Sequence, residues 1–343
     1  MSGDRVSVCI VTWNSSESIE SCLSAIFRQT CFPDEIVIVD NGSTDDTLAR
    51  IESTGWPVNV VENRANLGFS RAVNIGLRET SGSVFMTVNP DVRLHPEFVA
   101  ASLGAISDRP DIGSIAGMLI RDGEGDSDTG AVVDSTGLVL RRNRRAEDRD
   151  QGRAFDPGRF RREEVFGACG AAAVFRRSML EDLAYGGGEV FDESFFCYKE
   201  DVDLAWRAQL RGWRCVFDPS AVAVHARGWR SGDREQIPEW IRVHSLKNRY
   251  LMLLKNERPG SVLRNLGPIL WLEARVLGYI LLFEPGLWKV YPAVLKHLSA
   301  AWRKRQWTSG RRRELADTAC SETPRKKNFL WRGVEIRPIS WRG

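Results

Sequence analysis

Residues 35–47 read EIVIVDNGSTDDT. Ile36 to Val39 form an apolar, β-branched run with the length of a strand covered on both faces. The run stops at Asp40, turns at Asn41-Gly42, and resumes at Ser43–Asp46 with side chains that start helices. Strand, polar turn and helix make the unit of a parallel sheet, and the unit recurs on both sides. Upstream, Val6–Trp13 is a strand. Ser15 and Ser16 then precede a helix with Ile19, Leu23, Ile26 and Phe27 on one face and Glu17 and Glu20 at its positive end. Downstream, Val58–Val61 is a strand, Ser70–Thr80 a helix, and Ser83–Val88 a fourth strand running into Asn89-Pro90-Asp91. The expected fold is α/β: a Rossmann-like, mostly parallel sheet with flanking helices.

Such sheets bind ligands where loops leave the carboxyl ends of the strands. Thr12-Trp13-Asn14, Asp40-Asn41 and Asn89-Pro90-Asp91 all collect at those ends. Turn formers belong at strand ends in any case, so their shared placement on one edge is what makes a site. Neither GxxxxGK nor GxGxxG follows any strand, so NTPase and nicotinamide-dehydrogenase readings lack their phosphate-cradling backbone.

The 343 residues suit one large or two modest domains, and 43% hydrophobic with 27% charged residues excludes wholesale disorder and a polytopic membrane protein. The net charge of +3 is uneven: residues 289–343 carry +10 and the remainder −7. A basic tail suits a phosphate-bearing surface. No nucleic-acid-binding module accompanies it, so nucleic acid is not an expected partner. Seven scattered cysteines show neither a zinc spacing nor a disulfide framework and read as reduced core residues. The amino terminus, MSGDRVSVCIVTW, enters a strand without a basic and apolar leader, so a cytoplasmic location is expected.

VSVCIVTWN (6–14), EIVIVDNGSTDDT (35–47), ENRANLGFSRAVNIG (62–76) and FMTVNPDV (85–92) resemble the donor half of inverting family 2 glycosyltransferases of the GT-A fold. FGACGAAAVFRRSML (166–180), FDESFFCYKEDVDLAWRAQLRGW (191–213) and AVAVHARG (221–228) continue the resemblance, which covers roughly residues 5–255 and is tighter to bacterial rhamnosyltransferase-like members that build cell-surface polysaccharides. The resemblance implies a nucleotide-sugar donor, with dTDP-rhamnose preferred over UDP-sugars or GDP-mannose. It also implies a glycan or polyprenyl-linked acceptor and a Mg²⁺ or Mn²⁺ ion. Thr12, Asn14 and Asp40 would line the nucleoside pocket, Asp40 reading the base; its competing reading is an Asx turn with Asn41-Gly42. Asn66, Gly68 and Asn74 would pass the ribose and diphosphate. Asn89-Pro90-Asp91 stands where the family has its DxD motif, with Asp91 the metal carboxylate and Asn89 a weaker neutral ligand. His225 would meet the metal or diphosphate. Arg227 and Arg230 are weaker phosphate candidates.

Glu200-Asp201 follows a stretch expected as an apolar strand (Phe191, Phe195, Phe196) and opens a helix near Lys199. A carboxylate in that first turn faces the helix's positive end. The resemblance makes Asp201 the catalytic base and Glu200 an acceptor-positioning residue, while Asp203 and Arg207 are spaced for a helix-surface ion pair.

The expected organisation is a GT-A domain over residues 1–235: a donor half to about 118, a charged mobile loop with a hairpin at Ala131–Leu140 over 121–163, and an acceptor half over 164–235. Residues 236–343 form a helical region with a basic tail. Its uncharged runs, Asn265–Leu272 and Val276–Phe283, are too short to span a bilayer, which needs about 20 apolar residues. Interfacial helices at the inner face of the cell membrane and a hairpin packed on the catalytic domain are both open readings. A non-catalytic nucleotide-sugar-binding partner protein is the alternative function, favoured by Asn89.

Overall fold

The computed structural model describes residues 4–122, 131–226 and 237–321, with side chains to residue 310 apart from Pro157. Its elements in chain order are β1 (Val6–Thr12), α1 (Ile19–Phe27), β2 (Glu35–Asp40), α2 (Thr47–Ser53), β3 (Asn59–Glu62), α3 (Phe69–Arg78), β4 (Val84–Val88), β5 (Val92–Leu94) and α4 (Phe98–Ser107). There follow β6 (Ile112–Arg121), β7 (Val133–Ser135), β8 (Leu138–Leu140), β9 (Ala146–Asp148), β10 (Glu163–Val165), β11 (Ala172–Arg176) and α5 (Arg177–Leu183). The chain closes with α6 (Glu200–Arg211), β12 (Arg214–His225), α7 (Glu239–Asn256), α8 (Pro259–Arg264), α9 (Leu266–Leu282) and α10 (Val290–Ser321).

The main sheet runs β10-β12-β6-β11-β4-β1-β2-β3, with β5 on β12 and β7 on β6. β3, β2, β1 and β4 are mutually parallel, as their strand–helix alternation requires. Along β1, Val6, Val8 and Ile10 enter the core under α1 and α4, whereas Cys9 and Val11 enter the core shared with α3 and α6. Both faces are covered, which is why the strand is apolar from Val8 to Val11. β11 differs: it runs antiparallel between β4 and β6. Its amino end therefore lies at the same sheet edge as the carboxyl ends of β1, β2 and β4.

Three sequence expectations change here. Residues 131–140 do not pair as a hairpin, because β7 joins β6 while β8 pairs with β9 across a turn at Arg141–Arg145. The segment expected as a charged loop thus supplies three short strands, β7 to β9, and Asp134, Ser135 and Thr136 within it are fully buried. Its charges hid this, since three-residue strands leave no apolar period. Second, residues 191–199 are not a strand. A short 3-10 turn (Glu193–Phe195) is followed by left-handed backbone at Phe196, Tyr198 and Lys199.

Third, Asp203 and Arg207 pair inside the protein rather than on a helix surface. Arg207 Nε lies 3.0 Å from Asp203 Oδ2 in a fully buried pair, and its other nitrogens donate to the carbonyls of Leu183 and Val190. Lys255 of α7 bridges Asp203 and Asp192, and Lys304 of α10 reaches Asp192 and Glu189 at 2.6 Å each. Three cations thus meet three carboxylates, and Asn256 donates to Asp203 at 2.7 Å. Although burial opposes charge on Asp192, Lys255 and Lys304 hold its carboxyl far below the usual range.

Around this network, Leu251, Met252 and Ala301 pack with Leu138, Phe195, Val202 and Trp206. The helices after residue 237 therefore share a core with α6. The expected boundary at 235 falls outside the described residues, as do Arg227 and Arg230.

Removing one partner of a buried ion network leaves the rest uncompensated. Lys255→Met should lower the unfolding free energy by about 3–5 kcal/mol. Urea denaturation monitored by tryptophan fluorescence measures it; a loss below 1 kcal/mol, the range of exposed pairs, would contradict the network's role.

Candidate active site

The carboxyl edge of β4 carries Asn89 and Asp91, and the edge of β12 carries His225. β5 and β12 pair antiparallel with Val92 opposite His225, and the Ala226 N–H donates to the Asp91 carbonyl at 2.9 Å. This pairing sets His225 Nε2 3.4 Å from Asp91 Oδ2. On its other side His225 Nδ1 lies 2.8 Å from Asp134 Oδ2, and Arg121 Nε approaches Asp134 Oδ1 at 3.3 Å. Burial works against a charged imidazole, but the hydrogen bond to Asp134 and then the contact with Asp91 outweigh it, so His225 is pushed up to about 9.

A carboxylate behind one ring nitrogen, aiming the other, is the arrangement that orients a metal-binding histidine. Asp91 Oδ2 and His225 Nε2 converge, and the Asn89 amide beside them makes no hydrogen bond among the described residues. This donor set fits a divalent ion that takes one or two protein carboxylates and completes its shell with water and substrate phosphates. No group of three His, Cys, Asp or Glu side chains surrounds a single point among the described residues.

The second carboxylate arrives through β11. The Asn89 N–H donates to the Ala171 carbonyl at 2.8 Å, and Gly170, next in line, donates its N–H to Asp201 Oδ2 at 3.1 Å. Two adjacent backbone residues thus tie the NPD turn to Asp201. The Val202 N–H, in the first turn of α6, holds the other Asp201 oxygen at 2.7 Å. Burial raises the Asp201 pKa against these N–H groups and the Lys199 charge. Glu200 is buried, its Oε2 has no hydrogen-bond partner, and burial followed by the Asp201 charge pushes its carboxyl up to about 8.

The turn ahead of this pair is strained, with φ of 67°, 67° and 72° at Phe196, Tyr198 and Lys199. Asn248 of α7, fully buried, stabilises it: the single Nδ2 donates to the carbonyls of Phe195, Cys197 and Tyr198 at 2.7–2.9 Å.

On the donor side, Thr12 and Asp40 are buried and face one another. Thr12 Oγ1 donates to Asp40 Oδ1 at 2.8 Å, and Ser43 gives Asp40 both its N–H (2.8 Å) and its hydroxyl (2.5 Å). The Asp40 carboxylate thus bonds the backbone three residues on, one residue further than an Asx turn. Asn14, left-handed at φ 51°, accepts from the Thr44 N–H and fixes the rim of the same turn. Asn66 caps the Gly68 N–H at 2.9 Å. Gly68 has φ +84°, and a Cβ there would sit 2.5 Å from the Phe196 ring, so only glycine lets the donor-side loop touch the turn before Asp201.

Asn74 is buried and bonded inside the protein. Its amide donates to the Phe191 carbonyl and Glu193, and its oxygen accepts from the N–H groups of Val190 and Phe191. It fastens α3 to the loop leading into the turn before Asp201.

The sequence did not single out Asp134, Gly170 or Asn248. Asp134 lies in the charged segment, Gly170 acts through its backbone, and Asn248 sits in a helix beyond the recognisable motifs.

The family model "Glycosyl transferase family 2" matches residues 7–184. N-acetylglucosaminyl-diphospho-decaprenol L-rhamnosyltransferase of Mycobacterium tuberculosis is 30% identical over 250 residues, covering 67% of this chain and 78% of its own. Among solved structures, S. aureus TarS 1-349 aligns over 90% of this chain and 92% of its own with a TM-score of 0.54 and 17% identity. GalNAc-T7 with UDP, GalNAc and Mn²⁺ aligns over 74% of this chain with a TM-score of 0.55 and 17% identity, and this chain spans 48% of its length. Both share the GT-A-type fold described above.

Because its folded pKa is raised from 4.5 to about 8, Glu200 holds its proton in the native state at pH values where the unfolded chain releases it. Its contribution to stability is therefore complete below about pH 4.5 and is lost as pH rises through 8. Glu200→Gln should raise the melting temperature relative to wild type progressively between pH 5 and about 8.5. A pH-independent difference in differential scanning fluorimetry would show that Glu200 does not titrate in this window.

Proposed function

Because the chain belongs to glycosyl transferase family 2, we propose that it is an inverting, metal-dependent glycosyltransferase moving a sugar from a nucleotide-sugar to a hydroxyl of a lipid-linked glycan. The observation that carries this reading is the pair of backbone links, Asn89 to Ala171 and Gly170 to Asp201, that set two carboxylates from distant stretches of chain at one sheet edge. Asp91 is bonded to the side where a diphosphate would leave, and Asp201 stands at the mouth of α6 where an acceptor would enter.

Asp201 takes the acceptor hydroxyl's proton as its oxygen bonds to the anomeric carbon, and the nucleoside diphosphate departs from the opposite face. One displacement inverts the centre. The raised pKa of Asp201 brings it closer to that of a proton acceptor matched to neutral pH. The Gly170 and Val202 N–H groups fix its two oxygens and prevent rotation during transfer. Glu200, with an unpartnered buried oxygen, positions the acceptor by hydrogen bonding.

A divalent ion, Mn²⁺ or Mg²⁺, held by Asp91 and His225 would neutralise the departing diphosphate. The exposed Trp13 and the Asn14–Thr44 rim offer a wall for the base beside Asp40.

The 30% identity to an L-rhamnosyltransferase favours dTDP-rhamnose as donor, and that relative's printed name favours a diphosphate-linked lipid acceptor. The reaction would take place at the inner face of the cell membrane, in the making of a surface polysaccharide. α9 supports that placement: Ile280 is its only buried residue, while Trp271 and Leu282 are 68% and 76% exposed. No single described helix is long and apolar enough to cross a membrane.

The test is a thermal-shift panel of dTDP-, UDP- and GDP-sugars with and without Mn²⁺, followed by turnover of the donor that stabilises most. A dTDP-sugar should give the largest shift, and only with metal. Asp201→Asn should lower turnover about 10²–10⁴-fold while nucleotide binding stays near wild type. Asp91→Ala should remove the metal-dependent part of the shift. Undiminished turnover in Asp201→Asn would remove the base, and a metal-independent shift would remove the ion.

A further inference from the structure

Between α7, α9, the loop Arg144–Ala146 and Tyr198–Lys199 lies a cavity of about 730 Å³. Its wall is apolar, with Ile241, Leu246, Leu272, Val276 and Ile280 contributing from the two helices. Every charged residue lining it is a cation: Arg144, Arg145, Lys199, Arg242, Arg249 and Arg275.

Four of the six face carboxylates behind the wall: Arg144 pairs with Glu257, Arg145 with Glu147, Arg242 with Glu284 and Arg249 with Glu273. Lys199 and Arg275 have no ion-pair partner among the described residues. The Nε of Arg249, a residue more than nine-tenths buried, also lacks a hydrogen-bond partner. The cavity is thus lined by two cations that lack an ion-pair partner, although the Lys199 charge also acts on Glu200 and Asp201 behind it, and by a residue with an unused donor.

A diphosphate bridging two organic groups carries a negative charge on each phosphate, and guanidinium groups bind such oxygens with paired hydrogen bonds. Simple anion sites do not need the apolar wall, and simple lipid grooves do not need the cations. The position is equally specific: Lys199 lies at the cavity and is followed directly by Glu200 and Asp201.

We propose that this cavity is the acceptor site, taking an amphiphile whose diphosphate joins a sugar to a long prenyl chain, with Lys199 and Arg275 binding the diphosphate and the α7–α9 wall holding the chain. The assignment rests on the glycosyltransferase reading above and adds the place where the acceptor sits. A diphosphate between Lys199 and Arg275 leaves the attached sugar on the Asp201 side of the turn. The chain leaves along α9, whose exposed Leu270, Trp271, Leu277 and Leu281 continue the apolar surface outward.

The test measures binding of geranylgeranyl diphosphate to the full chain by calorimetry in EDTA, so that no metal at Asp91 and His225 captures the probe. Inorganic pyrophosphate and geranylgeraniol are the comparison ligands. The prenyl diphosphate should bind at least about tenfold more tightly than either, because each of the others lacks one half of the site. Arg275→Glu should weaken it about tenfold or more, through a lost charge-assisted contact. Val276→Asp, on the same exposed helix, should weaken it comparably by placing a carboxylate in the wall. Two variants guard against one failing to fold, which circular dichroism reports.

Pyrophosphate binding as tightly as the prenyl diphosphate would overturn the proposal, as would unchanged affinity in both variants. Nucleotide-sugar binding with Mn²⁺ is measured in parallel on the wild type. If it persists while the prenyl probe fails, the site falls and the function stands. If the probe binds while no nucleotide-sugar does, the function falls and the cavity remains an amphiphile site.

Discussion

One antiparallel strand sets the geometry on which everything else depends. Had β11 run parallel to β4, its amino end would lie at the far edge of the sheet, and Gly170 could not meet Asn89. Running antiparallel, it places Gly170 and Ala171 beside the NPD turn, and Asp201 is bonded to that backbone. A donor edge made of parallel strands thereby acquires a second carboxylate from about a hundred residues downstream. The backbone does this work: the Gly170 and Val202 N–H groups hold the two Asp201 oxygens, while Asp91 lies against His225.

The second requirement is strain, and it is met from outside the family motifs. Left-handed backbone at three non-glycine residues costs of order 1–3 kcal/mol each and persists only where surrounding structure over-determines it. Asn248 supplies that restraint through three carbonyls, and Gly68 packs against Phe196 from the donor side. The catalytic turn is clamped between a loop of the parallel half and a helix from the carboxyl-terminal region. Nearby, the Lys255–Asp192–Asp203–Arg207 network fixes α7 against α6. α7 and α10 consequently share one body with α6, while α8 buries no residue and α9 only Ile280.

The two readings left open for the carboxyl-terminal region each meet part of the structure. α7 and α10 pack against α6, as a covering hairpin would. α9 buries only Ile280 and exposes Trp271 and several leucines, and α10 also exposes Leu295 and Trp302. The cavity lies where the packed and unpacked helices meet, with cations facing inward and hydrocarbon leading outward.

The sequence by itself determined the parallel half, because each strand there is buried on both faces and each helix shows a period the residues cannot hide. Asp40, Asn89, Asp91 and His225 were legible for a related reason: they stand at or just beyond the sharp ends of apolar runs, whereas Asp201 was legible through the resemblance of its segment to the family. Where elements are short, this signal fails. β7 is three residues long, so nothing in the charged segment around it marked Asp134 as the buried partner of His225. Only the tertiary structure decided that Asp203 and Arg207 pair inside, that Thr12 and Asn74 serve the scaffold, and that a helical asparagine governs the catalytic turn. Each of those facts depends on contacts with stretches elsewhere in the chain, as the Asp203–Arg207 pair does on Lys255 and Val190, and spacing along a sequence carries no record of what a side chain meets after folding.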